Sequence, residues 1–314
     1  VTSALIVCTR NRLVEVNGLL GQIADQIEAP SYVVVADSSD TKWDKSQFEY
    51  WSNRIVGLRY LAVRHGLPYQ RNVAIKYLED LDVAFSFISF LDDDVSIPQN
   101  YIQEVGKFFL SFPEFSGVGA WDSTLQLRQS LARKILQLGD SSASGIITKS
   151  GIAVPPWNVV KLRSVEWFPG FGMSFRWRPL KNFRFDGRYR MYGEDVEAQI
   201  RLDGILAVSP NIRLAHLGAP TGRASQAMIQ YHNNAFRYRL SKTENANVSL
   251  RWVLASTTFL LLGELGMAIV RLDTQAFNRA CGHGKFFFDL FVGKLKDDQV
   301  LHNYSDLTPD FIFS

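Results

Sequence analysis

Short, uncharged runs rich in β-branched and aromatic residues alternate with longer stretches whose apolar residues recur every three or four positions. Ala4-Leu5-Ile6-Val7-Cys8 predicts a first strand. Val16, Leu19, Leu20, Ile23 and Ile27 then fall at helical spacing, and Pro30 closes that helix. Tyr32 to Ala36 predicts a second buried strand, ending at Asp37. A strand, a helix and a strand over this length make a βαβ unit with parallel pairing. Leu58 to Val63 predicts a third strand, about Gln70 to Leu78 a helix, and Val83 to Leu91 a fourth, aromatic-rich strand. In such sheets ligands bind beyond the carboxyl ends of the strands. Thr9, Asp37 and Asp92-Asp93-Asp94 all fall at such ends and are expected to share one crevice.

The pattern changes near Phe112. Asp140 to Asn158 is rich in Ser, Gly and Pro and reads as a long mobile loop. Val165 to Phe175 is aromatic and glycine-rich. A short helix is expected after Gly193-Glu194-Asp195, from Val196, Ile200 and Leu202, and one or two strands over Ile205 to Ala215, ending at His216. No internal repeat is evident. Beyond about Arg223 the chain turns basic: Arg223 to Lys296 holds ten Lys or Arg against four acids, Glu244, Glu264, Asp273 and Asp289. Trp252 to Val270 is apolar over 19 residues, interrupted by Ser256-Thr257-Thr258 and Glu264. That length can just span a bilayer, but a mid-segment acid costs roughly 2.5–3.5 kcal/mol on insertion scales, and both flanks are basic. Helices lying on an anionic membrane face are therefore expected, with Phe286-Phe287-Phe288 and Phe291 as further anchors. The bland alternative is a helical cap on the preceding domain.

Composition narrows the class. The 314 residues suit one large α/β domain with an appendage, or two smaller domains, and a net charge of +3 does not announce a nucleic-acid binder. Cys8 and Cys281 have no metal-ligand spacing and fit a reducing compartment without a disulfide framework. With no secretory signal pattern before the first strand, a cytoplasmic location is expected.

The acids carry the candidate chemistry. Three negative charges at the end of a buried strand call for a cation, and hard oxygen ligands suit Mg2+ or Mn2+ holding a phosphate. His216 as an added ligand would favour Mn2+. The alternatives are a solvated acidic turn and a turn histidine. In Glu194-Asp195, an aspartate could accept a proton from an attacking hydroxyl, although acids in a first helical turn also serve the helix dipole. Arg71, just inside a helix after Gly66-Leu67-Pro68, suits a diphosphate, as do Arg10 and Arg12. Each could equally be a surface arginine. Asp37 could meet a base N–H or a ribose hydroxyl, or simply shape the turn Asp37-Ser38-Ser39-Asp40.

Taken in order, several segments resemble the family 2 glycosyltransferases. They are Thr9-Arg10-Asn11-Arg12, Val-Val-Val-Ala-Asp37, Gln70-Arg71-Asn72, Asp92-Asp93-Asp94, Gly170-Phe171-Gly172-Met173, Gly193-Glu194-Asp195 and His216. The resemblance covers about residues 3 to 240, and Tyr231 to Arg237 resembles the aromatic, Asn- and Arg-bearing segment that often follows the catalytic domain. It implies an α/β fold of the GT-A type, Rossmann-like, with a mostly parallel central sheet flanked by helices. The expected division is a catalytic domain over 1–222 and a basic, apolar helical region over 223–314. A nucleotide-binding half runs to about 110, and an acceptor-binding half follows from 111. It also implies inverting, metal-dependent transfer from a nucleotide-sugar, UDP-linked in preference to dTDP- or GDP-linked. The acceptor would be a glycan or lipid-linked hydroxyl in surface polysaccharide assembly, on the cytoplasmic face of the membrane. Asp37, Thr9, Arg10, Arg12, Arg71, Asp92 and Asp93 would bind the donor, and Asp94 and His216 the metal. Gly170, Phe171, Gly172, Met173 and Glu194 would face the acceptor, and Asp195 would be the base. Where many members have Asp-Asn-Gly-Ser, this chain has Ala36-Asp37-Ser38-Ser39.

Two rivals share such a sheet. A nucleotidyltransferase would carry a glycine-rich basic loop after the first strand, which Thr9-Arg10-Asn11-Arg12 is not. A non-catalytic nucleotide- or membrane-binding module would not need Asp94, Asp195 and His216 intact. The oligomeric state has no signature in the sequence.

Overall fold

A computed structural model describes residues 1–127, 130–189, 192–219, 224–243, 245–295 and 307–314. The elements run β1 (Ser3–Thr9), α1 (Leu13–Ala24), β2 (Tyr32–Asp37), α2 (Lys45–Ser52), β3 (Leu58–Ala62), α3 (Leu67–Asp80) and β4 (Phe87–Asp92). Then come β5 (Val95–Ser96), α4 (Tyr101–Ser111), β6 (Phe115–Asp122), α5 (Leu131–Ile135), β7 (Arg163–Val165), β8 (Gly172–Arg176) and α6 (Trp177–Leu180). The chain closes with α7 (Glu194–Arg201), β9 (Ile205–His216), α8 (Gln226–Leu240), α9 (Leu250–Arg271), α10 (Thr274–Phe291) and β10 (Phe311–Phe313).

The strands form one sheet in the order β10-β3-β2-β1-β4-β8-β6-β9-β5, with β7 also on β9. β3, β2, β1, β4, β6 and β9 run the same way; β8 opposes its two neighbours, and the short edge strands are antiparallel. Alternate residues of each strand feed opposite faces. Leu5, Val7, Val33 and Val35 pack with Val16, Leu20, Phe48 and Val105 from α1, α2 and α4. Ala4, Ile6, Val34 and Ala36 pack with Val73, Ala74 and Leu78 from α3. This two-sided burial explains why these strands read as continuous apolar runs.

The expected elements differ from the observed ones mainly at their ends. β4 begins at Phe87 rather than Val83, because Asp82 turns the chain at a left-handed φ of 51°. α1 stops at Ala24, and Ile27 lies beyond it, 65% exposed. The side chain of Gln26 there donates to the Pro98 carbonyl and accepts the Ile102 amide. α3 starts at Leu67, with Pro68 in its first turn, where a missing N–H is tolerated. Asp140 to Asn158 contains a 3-10 turn over Ser141–Ala143 and an antiparallel bridge between Ile147 and Ala153.

The boundary expected between 222 and 223 lies outside the described residues. After it, α8 packs on the preceding unit. Phe236 fills the space that the missing side chain of Gly193 leaves, and Arg237, fully buried, donates Nε–H to the Ser150 carbonyl at 2.7 Å. The guanidinium also reaches Asn234 Oδ1, Thr257 Oγ1 and Ser256 Oγ, so α8, α9 and the Ser150 loop meet on one charge. Burial lowers the Arg237 pKa to about 10. α9 and α10 fold back on each other through Leu272 and pack on α8. α9 is long and apolar enough to cross a membrane, with mean hydropathy 1.9, yet only 17% of that stretch is buried within the protein. Its mid-helix acid, Glu264, accepts a 2.8 Å bond from Arg279 of α10.

Candidate active site

Parallel pairing brings three strand ends to one level. Cys8 of β1 lies opposite Asp92 of β4, and Thr9 opposite Asp37 of β2. Gln70 of α3 fastens this edge from below, donating to the Thr9 and Ala36 carbonyls at 3.0 and 2.8 Å. After Asp92 the chain turns through Asp93 and Asp94 into β5, where Val95 pairs with His216 at the end of β9.

That turn separates the three acids. Asp92, Asp94 and His216 each offer one ligand atom within 4.8 Å of the others. Asp93 is not among them: it accepts from Thr9 Oγ1 at 2.7 Å and from Arg12 Nη1 at 2.8 Å, and the same Arg12 nitrogen lies 3.5 Å from Asp94 Oδ2. Asp93 was expected to meet the donor; instead it is buried and spent on holding β1 and Arg12. Two carboxylates and an imidazole in this arrangement suit Mn2+ or Mg2+.

Local bonding sets the charges. Burial raises Asp94, but the bonds from His216 Nε2 and the Ala219 amide, with the charges of His216 and Arg12, outweigh it and hold the carboxyl at about 2. The His216 pKa is raised by its hydrogen bond to Asp94. The His216 ring lies against Phe171 at 4.8 Å. Burial pushes Asp93 up to about 6, against the bonds from Thr9 and Arg12, and raises Asp92 as well.

Arg71 departs from expectation most clearly. It is 2% exposed and lies under the site rather than facing a ligand. Its Nη1 meets Glu194 Oε1 at 3.1 Å, and its Nη2 lies 3.7 Å from Asp92 Oδ1 and donates to the Gly170 carbonyl at 3.4 Å. The guanidinium also lies over Phe185. A single buried cation thus links the first acid of the triplet, the Gly170 turn and α7. Glu194, expected at the acceptor, is buried in that pair instead, and burial together with the neighbouring charge of Asp195 raises its pKa.

Asp195 is half-buried. Its Oδ2 accepts the Gly170 amide at 2.8 Å and its Oδ1 the Val196 amide. Burial raises its pKa. A Cβ at Gly170 would stand 3.1 Å from Arg71 Nη2 and 3.2 Å from Asp195, close enough that one of them would have to shift by tenths of an ångström. One helical turn on, Gln199 donates to and accepts from the Phe168 backbone, so α7 grips this turn at two points. Of the four residues Gly170 to Met173, Phe171 is half-buried. Gly172 and Met173 are buried in β8, which removes them from any acceptor surface.

Asp37 is also engaged, accepting from the Ser39 amide and the Tyr60 hydroxyl, each at 2.7 Å. It lines a crevice of about 290 Å3 together with Thr9, Arg12, Lys42 and Trp43. Arg10 is exposed and pairs with Asp40 at 3.7 Å. Gln199, Tyr60 and Trp43 were not anticipated, and Gln70 was singled out only as part of the Gln70-Arg71-Asn72 segment, with no role of its own. Gln70 left a trace: it sits three and four residues before Val73 and Ala74, on the apolar face of its helix.

No protein-family profile and no curated protein matches this sequence. Solved structures do. One is a mannosyltransferase from Pyrobaculum calidifontis in complex with GDP-Man and Mn2+, at TM-score 0.54 and 14% identity, covering 91% of this chain and 87% of that one. Glucosyl-3-phosphoglycerate synthase from Mycobacterium tuberculosis, in complex with Mn2+, UDP and glucosyl-3-phosphoglycerate, follows at TM-score 0.50 and 14% identity, covering 79% and 80%. GalNAc-T7 with UDP, GalNAc and Mn2+ is similar at TM-score 0.51 and 12% identity, over 93% of this chain and 58% of that one. The chain has the GT-A fold, a mixed α/β architecture with a mostly parallel central sheet. The proteins it resembles in that fold are glycosyltransferases.

Proposed function

We propose that this protein is an inverting glycosyltransferase that moves a sugar from a nucleotide-diphosphate donor to a hydroxyl of a glycan or lipid-linked acceptor. The observation that carries the reading is the convergence of Asp92, Asp94 and His216 at the strand ends, across the Gly170 turn from Asp195, within a GT-A fold. The nucleoside occupies the crevice lined by Thr9, Arg12, Asp37 and Trp43. Held by Asp92, Asp94 and His216, a divalent cation would supply Lewis-acid stabilisation of the diphosphate.

The chain's own groups do the rest. Asp94, kept anionic by the bonds to its carboxylate, is ready to bind a cation at neutral pH. Asp195 accepts the hydroxyl proton as the acceptor oxygen bonds to the anomeric carbon and the bond to the diphosphate breaks on the opposite face. The Gly170 and Val196 amides aim its carboxylate, and the Arg71 cation beneath keeps the acid cluster from repelling itself.

The exposed apolar side chains of α9 and α10, among them Phe259, Leu262, Ile269, Phe288 and Phe291, fit an anionic membrane surface, and Arg251, Arg271 and Lys294 of the same region are exposed as well. Pairing with Arg279 neutralises Glu264, the one acid within α9. A peripheral position on the cytoplasmic side would bring the crevice to a lipid-linked acceptor.

Asp195→Asn tests the base. It should retain nucleotide binding and lose about 10²–10⁴-fold in turnover, measured with a panel of UDP-, dTDP- and GDP-sugars. Near-normal turnover removes Asp195 from the role, and absence of transfer from every donor by the wild type removes the enzyme reading.

A further inference from the structure

Tyr60 of β3 is fully buried and its hydroxyl is used twice. It donates to Asp37 Oδ2 at 2.7 Å and accepts the Trp43 amide at 3.0 Å. Its ring stacks on the Trp43 indole, with centroids 4.8 Å apart and planes at 16°. Asp37 and Trp43 line the crevice, whereas Tyr60 does not. One side chain behind the wall therefore holds two residues that form it.

Behind Tyr60 lies the strand most distant in sequence. β10 pairs antiparallel with β3, placing Phe313 opposite Tyr60 and Ile312 opposite Leu61. Alternate residues of β10 face opposite sides of the sheet. Phe311 and Phe313 turn to the Tyr60 ring, with centroids at 6.0 and 5.9 Å. Phe313 also stacks on Phe48 of α2 at 5.3 Å, and α2 begins two residues after Trp43. Two further bonds seat the approach to β10: the Asp310 amide donates to the Ala62 carbonyl at 2.7 Å, and the Tyr69 hydroxyl to the Thr308 carbonyl at 3.2 Å.

We infer that β10 sets the donor pocket through Tyr60, so that a strand at the far end of the sequence controls nucleotide affinity without touching the nucleotide. Tyr60 is a positioning residue. Asp37 is nearly inaccessible to water, so its orientation depends on the partners the protein gives it, the Ser39 amide and the Tyr60 hydroxyl. Without the hydroxyl, Asp37 loses one of them and the Trp43 amide loses its acceptor. The competent wall then becomes one arrangement among several, and apparent affinity falls in proportion to its population. A competent fraction of about a tenth gives a tenfold loss. This inference rests on reading the crevice as the donor site.

The test uses the full chain with Tyr60→Phe, Phe313→Ala and, on the opposite face of β10, Ile312→Ala. UDP and GDP are titrated calorimetrically with Mn2+, and amide exchange is followed over residues 39–44. Tyr60→Phe keeps the stack and the β10 packing; Phe313→Ala keeps the hydroxyl and removes its support. Both should weaken the preferred nucleotide about tenfold, raise the donor KM at little-changed kcat, and speed exchange at Trp43. Ile312→Ala should do none of these. Unchanged affinity in Tyr60→Phe or in Phe313→Ala overturns the inference, as does an equal loss in Ile312→Ala, which would mean general loosening. A wild type that binds neither nucleotide, with Trp43 exchange still faster in both Tyr60→Phe and Phe313→Ala, instead overturns the donor reading of the crevice and leaves the strand's hold on Trp43 standing.

Discussion

Arg71→Met leaves Asp92 and Glu194 on either side of the Gly170 turn without the guanidinium that now joins them. Methionine keeps much of the volume over Phe185, so the change is chiefly one of charge. At 3.1 and 3.7 Å, and with an effective dielectric of about 20, each attraction is roughly 4–5 kcal/mol before desolvation. Breaking a buried pair from one side typically costs about 3–5 kcal/mol, and that loss is expected at pH 8. The sign with pH follows from the carboxyls. Burial already raises Asp92 and Glu194 in the folded protein, and losing Arg71 raises them further. Groups whose folded pKa exceeds the unfolded one bind more protons when folded. Their penalty is full above the folded pKa and fades as pH falls towards the unfolded value. Urea unfolding of both proteins at pH 8 and pH 5, in chelator, should show a smaller difference at pH 5. A loss below about 1 kcal/mol at pH 8, or an equal loss at both pH values, would refute the reasoning.

Other outcomes follow from the same geometry. His216→Ala should weaken Mn2+ binding at least tenfold by calorimetry, and exhaustive chelation should abolish sugar transfer; activity indifferent to both excludes the cluster as a metal site. In Gly170→Ala the new methyl must push Asp195 by tenths of an ångström, which should lower kcat about two- to tenfold with little change in nucleotide affinity. Leu262→Asp together with Phe288→Asp should abolish co-sedimentation with anionic vesicles and leave turnover on a soluble acceptor intact. Vesicle binding equal to wild type would assign the hairpin a role other than membrane contact.

The sheet was legible because both its faces are buried, which leaves β1, β2 and β4 as uninterrupted apolar runs whose ends line up once the pairing is parallel. The shared level of Thr9, Asp37 and Asp92 could be anticipated for the same reason, whereas His216 arrives through the antiparallel pair of β5 with β9, and Asp92, expected at the donor, clusters with Asp94 and His216. The split within the triplet could not, since it depends on a turn that sends Asp93 back to Thr9 and Arg12. Arg71 misled because an arginine near a helix start has the same local signature whether it faces solvent or lies under the sheet; only the packing of α3 distinguishes them. α2 announced itself through Asp44 and Gln47, which form a reciprocal capping box, a signal in the sequence that went unused. β10 gave none: three residues that gain a partner only through β3 carry too little periodicity to register.

The node at Arg237 bears on how the chain comes apart. Among the described residues its charge meets no carboxylate, but oxygens from Ser150, Asn234, Ser256 and Thr257. Withdrawing α9 or the Ser150 loop alone strands a desolvated guanidinium, so neither can peel away at small cost. A version of the chain shortened just after α8 would expose a sticky, half-satisfied surface rather than release an independent catalytic core.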